Sequence, residues 1–165
     1  MKLRVDLARQ ELELLDDADA VLRRYPVSTA ANGAGEESGS QRTPRGQHIV
    51  RANIGAGQPL NTVFRGRRPT GEIYAPELGQ AEPERDWILT RILWLSGREP
   101  GFNRLGERDT MRRYIYIHGT PDESFEQAPR SHGCIRMRNA DLAALFDLVP
   151  AYTPVEIVEG RATQA

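Results

Sequence analysis

Leu3, Val5 and Leu7 alternate with polar residues, and Leu12 and Leu14 do the same across Glu11 and Glu13. A period of two puts successive side chains on opposite faces, so this pattern predicts two half-buried strands. Asp16-Asp17-Ala18-Asp19 predicts a turn, and the stretch from Ala20 to Val27 predicts a third strand. Pro26 has no N–H for a ladder, which places that strand at an edge or ends it there. From Ala30 to Gly46 the chain is polar, with Asn32-Gly33, Gly39-Ser40 and Pro44-Arg45-Gly46, the chemistry of a loop. Strand character returns from His48 to Ile54. The glycine- and proline-rich segment from Gly55 to Arg85 offers one short strand at Glu72-Ile73-Tyr74. Trp87 to Leu95 reads as a strand or a buried helix, because a short apolar run fits either. Arg113 to His118, rich in aromatic and β-branched residues, predicts a strand.

One helix is expected. Leu142, Leu145, Phe146 and Val149 recur at helical spacing, Asn139 is placed as the N-cap, Asp141 suits the first turn, and Pro150 stops the run. Pro154 to Val158 predicts a final strand, and Arg161 to Ala165 a frayed tail. The expected fold is mainly β, a single antiparallel, sandwich-like domain over residues 1–160 with one helix packed on it.

At 165 residues the chain can bury an adequate core without disulfides or a structural metal. With 22 basic against 23 acidic residues the net charge is -1, which implies no general attraction to nucleic acid or to a membrane surface. No run approaches the length of a membrane span. The opening Met1-Lys2-Leu3-Arg4-Val5-Asp6 lacks the apolar core of a secretory signal. The expected location is therefore the cytoplasm, or the periplasm if a leader has been removed. A single cysteine excludes an internal disulfide and any four-cysteine metal site.

That cysteine lies in Ser131-His132-Gly133-Cys134-Ile135-Arg136-Met137-Arg138. A lone cysteine is commonly a small buried hydrophobe, but this one follows His-Gly and precedes two arginines. In an extended backbone Cys134, Arg136 and Arg138 share one face, with Ile135 and Met137 on the other. Nearby positive charge favours the thiolate, the reactive form, and the amides around Gly133 could line an oxyanion hole. A thiol nucleophile needs a base. His118 ends a strand sixteen residues upstream and opens onto a loop, where catalytic groups concentrate. His132 lies too close along the chain for good in-line proton transfer. His48 reads as structural or exposed.

The block His118-Gly119-Thr120 followed by Ser131-His132-Gly133-Cys134-Ile135-Arg136 resembles the signature of the L,D-transpeptidase catalytic domain, the YkuD-like family. Tyr25-Pro26-Val27-Ser28-Thr29 with Gly39-Ser40 and Thr43-Pro44-Arg45-Gly46 is similar to a second, looser block, so the likeness runs from about Leu3 to Val158. The resemblance implies Cys134 as nucleophile, His118 as general base and the Gly119 backbone carbonyl as third member. It implies that Ser131, His132 and Gly133 shape the catalytic loop and oxyanion hole. The substrate it implies is the bond between diaminopimelate and terminal D-alanine in peptidoglycan tetrapeptide stems, attacked through a thioester. The implied acceptor is water, as in an L,D-carboxypeptidase of murein recycling, or alternatively an amine, giving 3→3 cross-links or D-amino-acid exchange. Arg136, where many members have asparagine, and Arg138 are candidate clamps for substrate carboxylates. No cofactor or metal is implied, and protein partners are not specified.

Two other classes compete. A zinc hydrolase could use His118, His132 and Cys134, although His-Glu-x-x-His and paired cysteines are missing and His-x-Cys is a poor ligand spacing. A noncatalytic peptidoglycan-binding module would have no use for a cysteine paired with a distant histidine. Gly33, Gly35 and Gly39 have the wrong spacing for a dinucleotide loop, and no helical pattern follows them.

Overall fold

The alternating apolar residues near the N-terminus bury the face that their pattern assigns. The computed structural model describes residues 1–160, so the expected tail at 161–165 lies outside the described residues. Strand β1 (Lys2–Asp6) pairs antiparallel with β2 (Glu11–Leu15), Leu3 opposite Leu14 and Val5 opposite Leu12, all four buried. β3 (Val21–Ser28) lies antiparallel to β2 with Pro26 opposite Glu11. It meets its other neighbour, the short strand Ile135–Met137, only at Val27 and Ser28. Pro26 thus stands where the missing N–H costs no ladder bond, on the open-edge stretch of the strand.

The sheet closes on itself. After the loop come β4 (Gly46–Ile54), β5 (Thr62–Arg65), β6 (Arg68–Ile73), a short helix α1 (Pro76–Ala81) and the long β7 (Ile88–Gly97). Then follow β8 (Tyr116–Gly119), β9 (Ile135–Met137), α2 (Asn139–Leu148) and β10 (Pro154–Val158). The strand order is β4-β10-β1-β2-β3-β9-β8-β7-β5-β6, and a further β4–β7 pairing completes a ring from which the β5–β6 hairpin projects. Pairing is antiparallel except for β1–β10 and β8–β9. The fold is mainly β, as the alternation implies, and more barrel-like than a two-sheet sandwich.

The structure resolves one ambiguity of the sequence reading and departs from it in three details. The ambiguous Trp87–Leu95 run is strand, because β7 pairs with β4, β5 and β8 along its length. The strand expected from Arg113 begins only at Tyr116, because Arg113 and Tyr114 lie in a turn, with Tyr114 left-handed (φ 57°) and its N–H bonded to the Met111 carbonyl. The Gly55–Arg85 segment holds a hairpin and α1 where a single short strand was expected. Asn139 is the first helical residue and Arg138 the N-cap, without a side-chain cap bond. Packing compensates for that missing cap. Leu142 and Leu145 are fully buried, and each such burial contributes about 1.5–3 kcal/mol against about 1 kcal/mol for a good cap. Phe146 is only partly buried, with the Arg91 guanidinium over its ring.

His48 is wholly buried on β4, its ring nitrogens 3.1 Å from the Gly46 carbonyl and 2.9 Å from Thr110 Oγ1. Burial pulls its pKa down to about 4 despite the Gly46 carbonyl. Its folded pKa therefore lies below that of the unfolded chain, so the neutral ring favours folding above the ordinary histidine pKa. That contribution fades as pH falls toward about 4, because only the unfolded chain takes up the proton. Denaturant midpoints measured between pH 7 and 4 should decline, and His48→Gln should flatten part of that slope. An unchanged slope in the variant would remove His48 from the account.

Candidate active site

Parallel pairing of β8 with β9 sets Ile117 opposite Ile135 and His118 opposite Arg136. Ile117 and Ile135 are fully buried. Alternation then turns Tyr116, His118, Cys134 and Arg136 to the opposite face, where all four line one cavity of about 470 Å³. The two residues that sequence reasoning singled out as nucleophile and base share this cavity. His132, exposed, lines it as well.

His118 is buried, and its Nδ1 lies 2.6 Å from the Gly119 carbonyl oxygen. A carbonyl only accepts, so Nδ1 carries the proton and Nε2 keeps its lone pair. Burial lowers the imidazole pKa, opposed by the Asp86 carboxylate and the Gly119 carbonyl. The ring rests neutral, in the form a base requires. Its backbone is held tightly. A Cβ on Gly119 would come within 2.2 Å of Asn139 Oδ1 and 2.6 Å of the Leu89 carbonyl oxygen, so only glycine fits. Asn139 is buried and donates to the Thr120 carbonyl (2.8 Å) and to Asp122 Oδ1 (3.1 Å), while accepting from Thr90 Oγ1 (2.5 Å). Thr90 itself has φ 75° and sits in a bulge, since Leu89 opposes Gly119 and Ile92 opposes His118. Bulges of this kind re-aim side chains beside active sites.

Cys134 is half-buried. Its thiol donates to the Tyr114 carbonyl at 3.4 Å and accepts the Tyr116 N–H at 3.4 Å. Among the described residues the sulfur's hydrogen bonds go to Tyr114 and Tyr116, and none joins it to His118 at rest. The nearby arginines do not offset the burial of the thiol. Desolvation pushes the thiol up to about 11, with the Tyr116 amide, Arg136 and Arg113 only partly opposing it. Arg136 is meanwhile engaged by Asp86 at 3.3 Å. Arg138 does not line the cavity: β9 ends at Met137, and the Arg138 guanidinium lies 4.8 Å from the Phe125 ring centre.

The cysteine loop is braced from two sides. Ser131 Oγ donates to the Cys134 carbonyl (2.5 Å) and accepts the Gly133 N–H (3.2 Å). The Gly133 amide is therefore committed to Ser131 and is not a free oxyanion donor at rest. The Thr43 hydroxyl donates to the Gly133 carbonyl (2.9 Å), and Thr29 O accepts the Ser131 N–H (2.8 Å). These contacts give the Tyr25–Thr29 and Gly39–Gly46 blocks a physical role as supports for the loop. At Gly133 φ is 132° and a Cβ would press against Ile115 and the Arg42 carbonyl, so glycine is required there too. Sequence reasoning missed Asp86, Arg67, Tyr114 and Tyr116 as cavity residues. The alternation in Tyr114-Ile115-Tyr116-Ile117-His118 carried a usable signal for Tyr116, which shares the parity of His118. Asp86 and Arg67 sit in segments without periodicity. Among the described residues no group of three His, Cys, Asp or Glu side chains is disposed to hold a metal ion.

The model of the L,D-transpeptidase catalytic domain, YkuD, matches residues 2–157. The chain belongs to this family. A probable L,D-transpeptidase ErfK/SrfK of Escherichia coli K12 is 32% identical over 157 residues, covering 74% of this chain and 50% of its own length. The chain thus spans about half of that curated relative. An L,D-transpeptidase from Xylanimonas cellulosilytica superposes with a TM-score of 0.54 at 21% identity, over 94% of this chain and 59% of its own. One from Mycobacterium smegmatis gives 0.52 at 22%, over 94% and 57%. At such identities these two structures establish the L,D-transpeptidase fold.

A raised thiol pKa and a lowered imidazole pKa together mean a neutral resting pair, unlike a preformed thiolate–imidazolium. The rate of Cys134 alkylation by iodoacetamide should therefore climb with pH beyond 9, toward about 11. A plateau below pH 8 would show a preformed ion pair and overturn this assignment.

Proposed function

We propose that the chain is a cysteine acyl-transfer enzyme that cleaves the bond between diaminopimelate and terminal D-alanine in peptidoglycan tetrapeptide stems, with water as the usual acceptor. The observation that carries the reading is the shared cavity of Cys134 and a neutral His118 whose Nδ1 proton is held by Gly119. When substrate enters, the thiol turns from the Tyr114 carbonyl toward His118 Nε2 and gives up its proton there. Sulfur bonds to the diaminopimelate carbonyl carbon, and the resulting oxyanion faces the amides of the cysteine loop. The C–N bond then breaks as imidazolium returns its proton to the departing D-alanine amine. Water attacks the thioester with His118 again as base, releasing a tripeptide and restoring the thiol. The loop from Gly119 to Arg130, with a single 3-10 turn at Asp122–Ser124, supplies little material for a second groove, which favours water.

Transpeptidation is the second reading, favoured by the E. coli relative, which is named a probable L,D-transpeptidase. Incubating tetrapeptide with enzyme and excess D-amino acid, with products followed by mass spectrometry, separates the two. Tripeptide should dominate; exchange product or 3→3 dimer in excess would give the reaction to the transpeptidase. Replacing His118 by alanine should lower acylation about 10²–10⁴-fold, the usual worth of a general base.

A further inference from the structure

The cavity has two ends, separated along β8 by two residues, or roughly 7 Å at strand rise. At one end His118 stands opposite Arg136, and Asp86 already pairs with that arginine. At the other end lie Tyr114, Tyr116 and Arg67. Arg67 comes from the Gly66-Arg67 tip of the β5–β6 hairpin, where both residues have positive φ, 54° and 64°. Such a turn favours glycine or asparagine at its second position, and an arginine there is disfavoured by its Cβ. Its side chain is nevertheless held in place. The guanidinium lies 4.8 Å from the Trp94 ring centre and 5.1 Å from that of Tyr114, and Nη1 donates to Tyr116 Oη at 3.0 Å. Among the described residues no carboxylate stands within ion-pair distance of it, and the Tyr116 contact uses only one of the several N–H donors of its fork.

A positioned cation with open donors on the wall of a nucleophile's cavity asks for an anion on the ligand. His118 returns the proton to the leaving amine, so the leaving group occupies the His118–Arg136 end. The acyl part of the donor then lies toward Arg67. Resting on the acyl-transfer reading above, we propose that Arg67 binds a free side-chain carboxylate on the acyl residue of the donor and makes the enzyme selective for that acid over its amide. The aromatic cradle fixes the guanidinium plane for a two-point grip that a neutral amide cannot return.

The test compares a diaminopimelate tetrapeptide with its side-chain amide. Binding of each to Cys134→Ser protein is measured by calorimetry, and turnover with the unmodified enzyme. The acid should bind about 10–100-fold more tightly than the amide, the range for a charge-assisted bond. Arg67→Ala should abolish the difference, and Arg67→Lys should recover only part of it. Arg65→Ala, which removes an exposed neighbouring charge that does not line the cavity, should leave the difference intact. Equal binding of acid and amide, or a preference that survives Arg67→Ala, overturns the subsite. Arg67-dependent preference in binding with turnover of neither donor would keep the subsite and sink the acyl-transfer reading.

Discussion

The site depends on one pairing, the parallel register of β8 with β9. Strands that lie side by side and run the same way cannot be joined by a tight turn; the chain needs a dozen or more residues to travel back. The interval between Gly119 and Ile135 is that return path, and its length is a requirement of the pairing. The register decides chemistry directly. A slip of one residue would send Cys134 into the core and bring Ile135 into the cavity. Much of the local irregularity protects this alignment: the bulge at Thr90, the contact-limited Gly119 and the Asn139 side chain that ties β7 to the loop after β8.

Burial acts on the two reactive groups in opposite directions. It raises the thiol and lowers the imidazole, so each rests uncharged. The arginines flanking the cysteine in sequence suggested a thiolate-stabilising field. Folding gives one of them to Asp86 and the other to the ring of Phe125. On the proposed mechanism, charge must then be created during the reaction, within a site whose backbone groups are already oriented.

Much of this was legible in the chain. Alternation located β1 and β2, strand-like composition located β4 and β10, and helical spacing found the buried Leu142–Leu145 face of α2. His118 and Cys134 stood out by their local sequence chemistry, and Gly119 through the family resemblance. What stayed hidden depends on distant partners. Val63 and Phe64 read as strand only once β7 lies beside them, and Tyr114 leaves the strand pattern in a turn closed by its N–H on the Met111 carbonyl. Asn139 looked like a cap because its residue type suits one; its side chain is instead claimed by Thr90, Thr120 and Asp122. Arg67 and Asp86 are surface-like residues by composition, placed at the cavity by a hairpin tip and a loop that carry no periodic signal.

The closed ring also governs how the chain can be made. β1 is flanked by β2 and by β10, with Leu3 beside Val155 and Val5 beside Ile157. During synthesis β1 must wait for β10, about 150 residues later, before both of its edges are covered. At ordinary rates of synthesis, about 5–20 residues per second, that wait is on the order of 10–30 s. Meanwhile the β1–β2–β3 meander exposes a hydrophobic face, and the β8–β9 alignment lacks the α2 residues that anchor it. Folding of this domain therefore waits on its own last strand and is dominated by contacts between residues far apart in sequence.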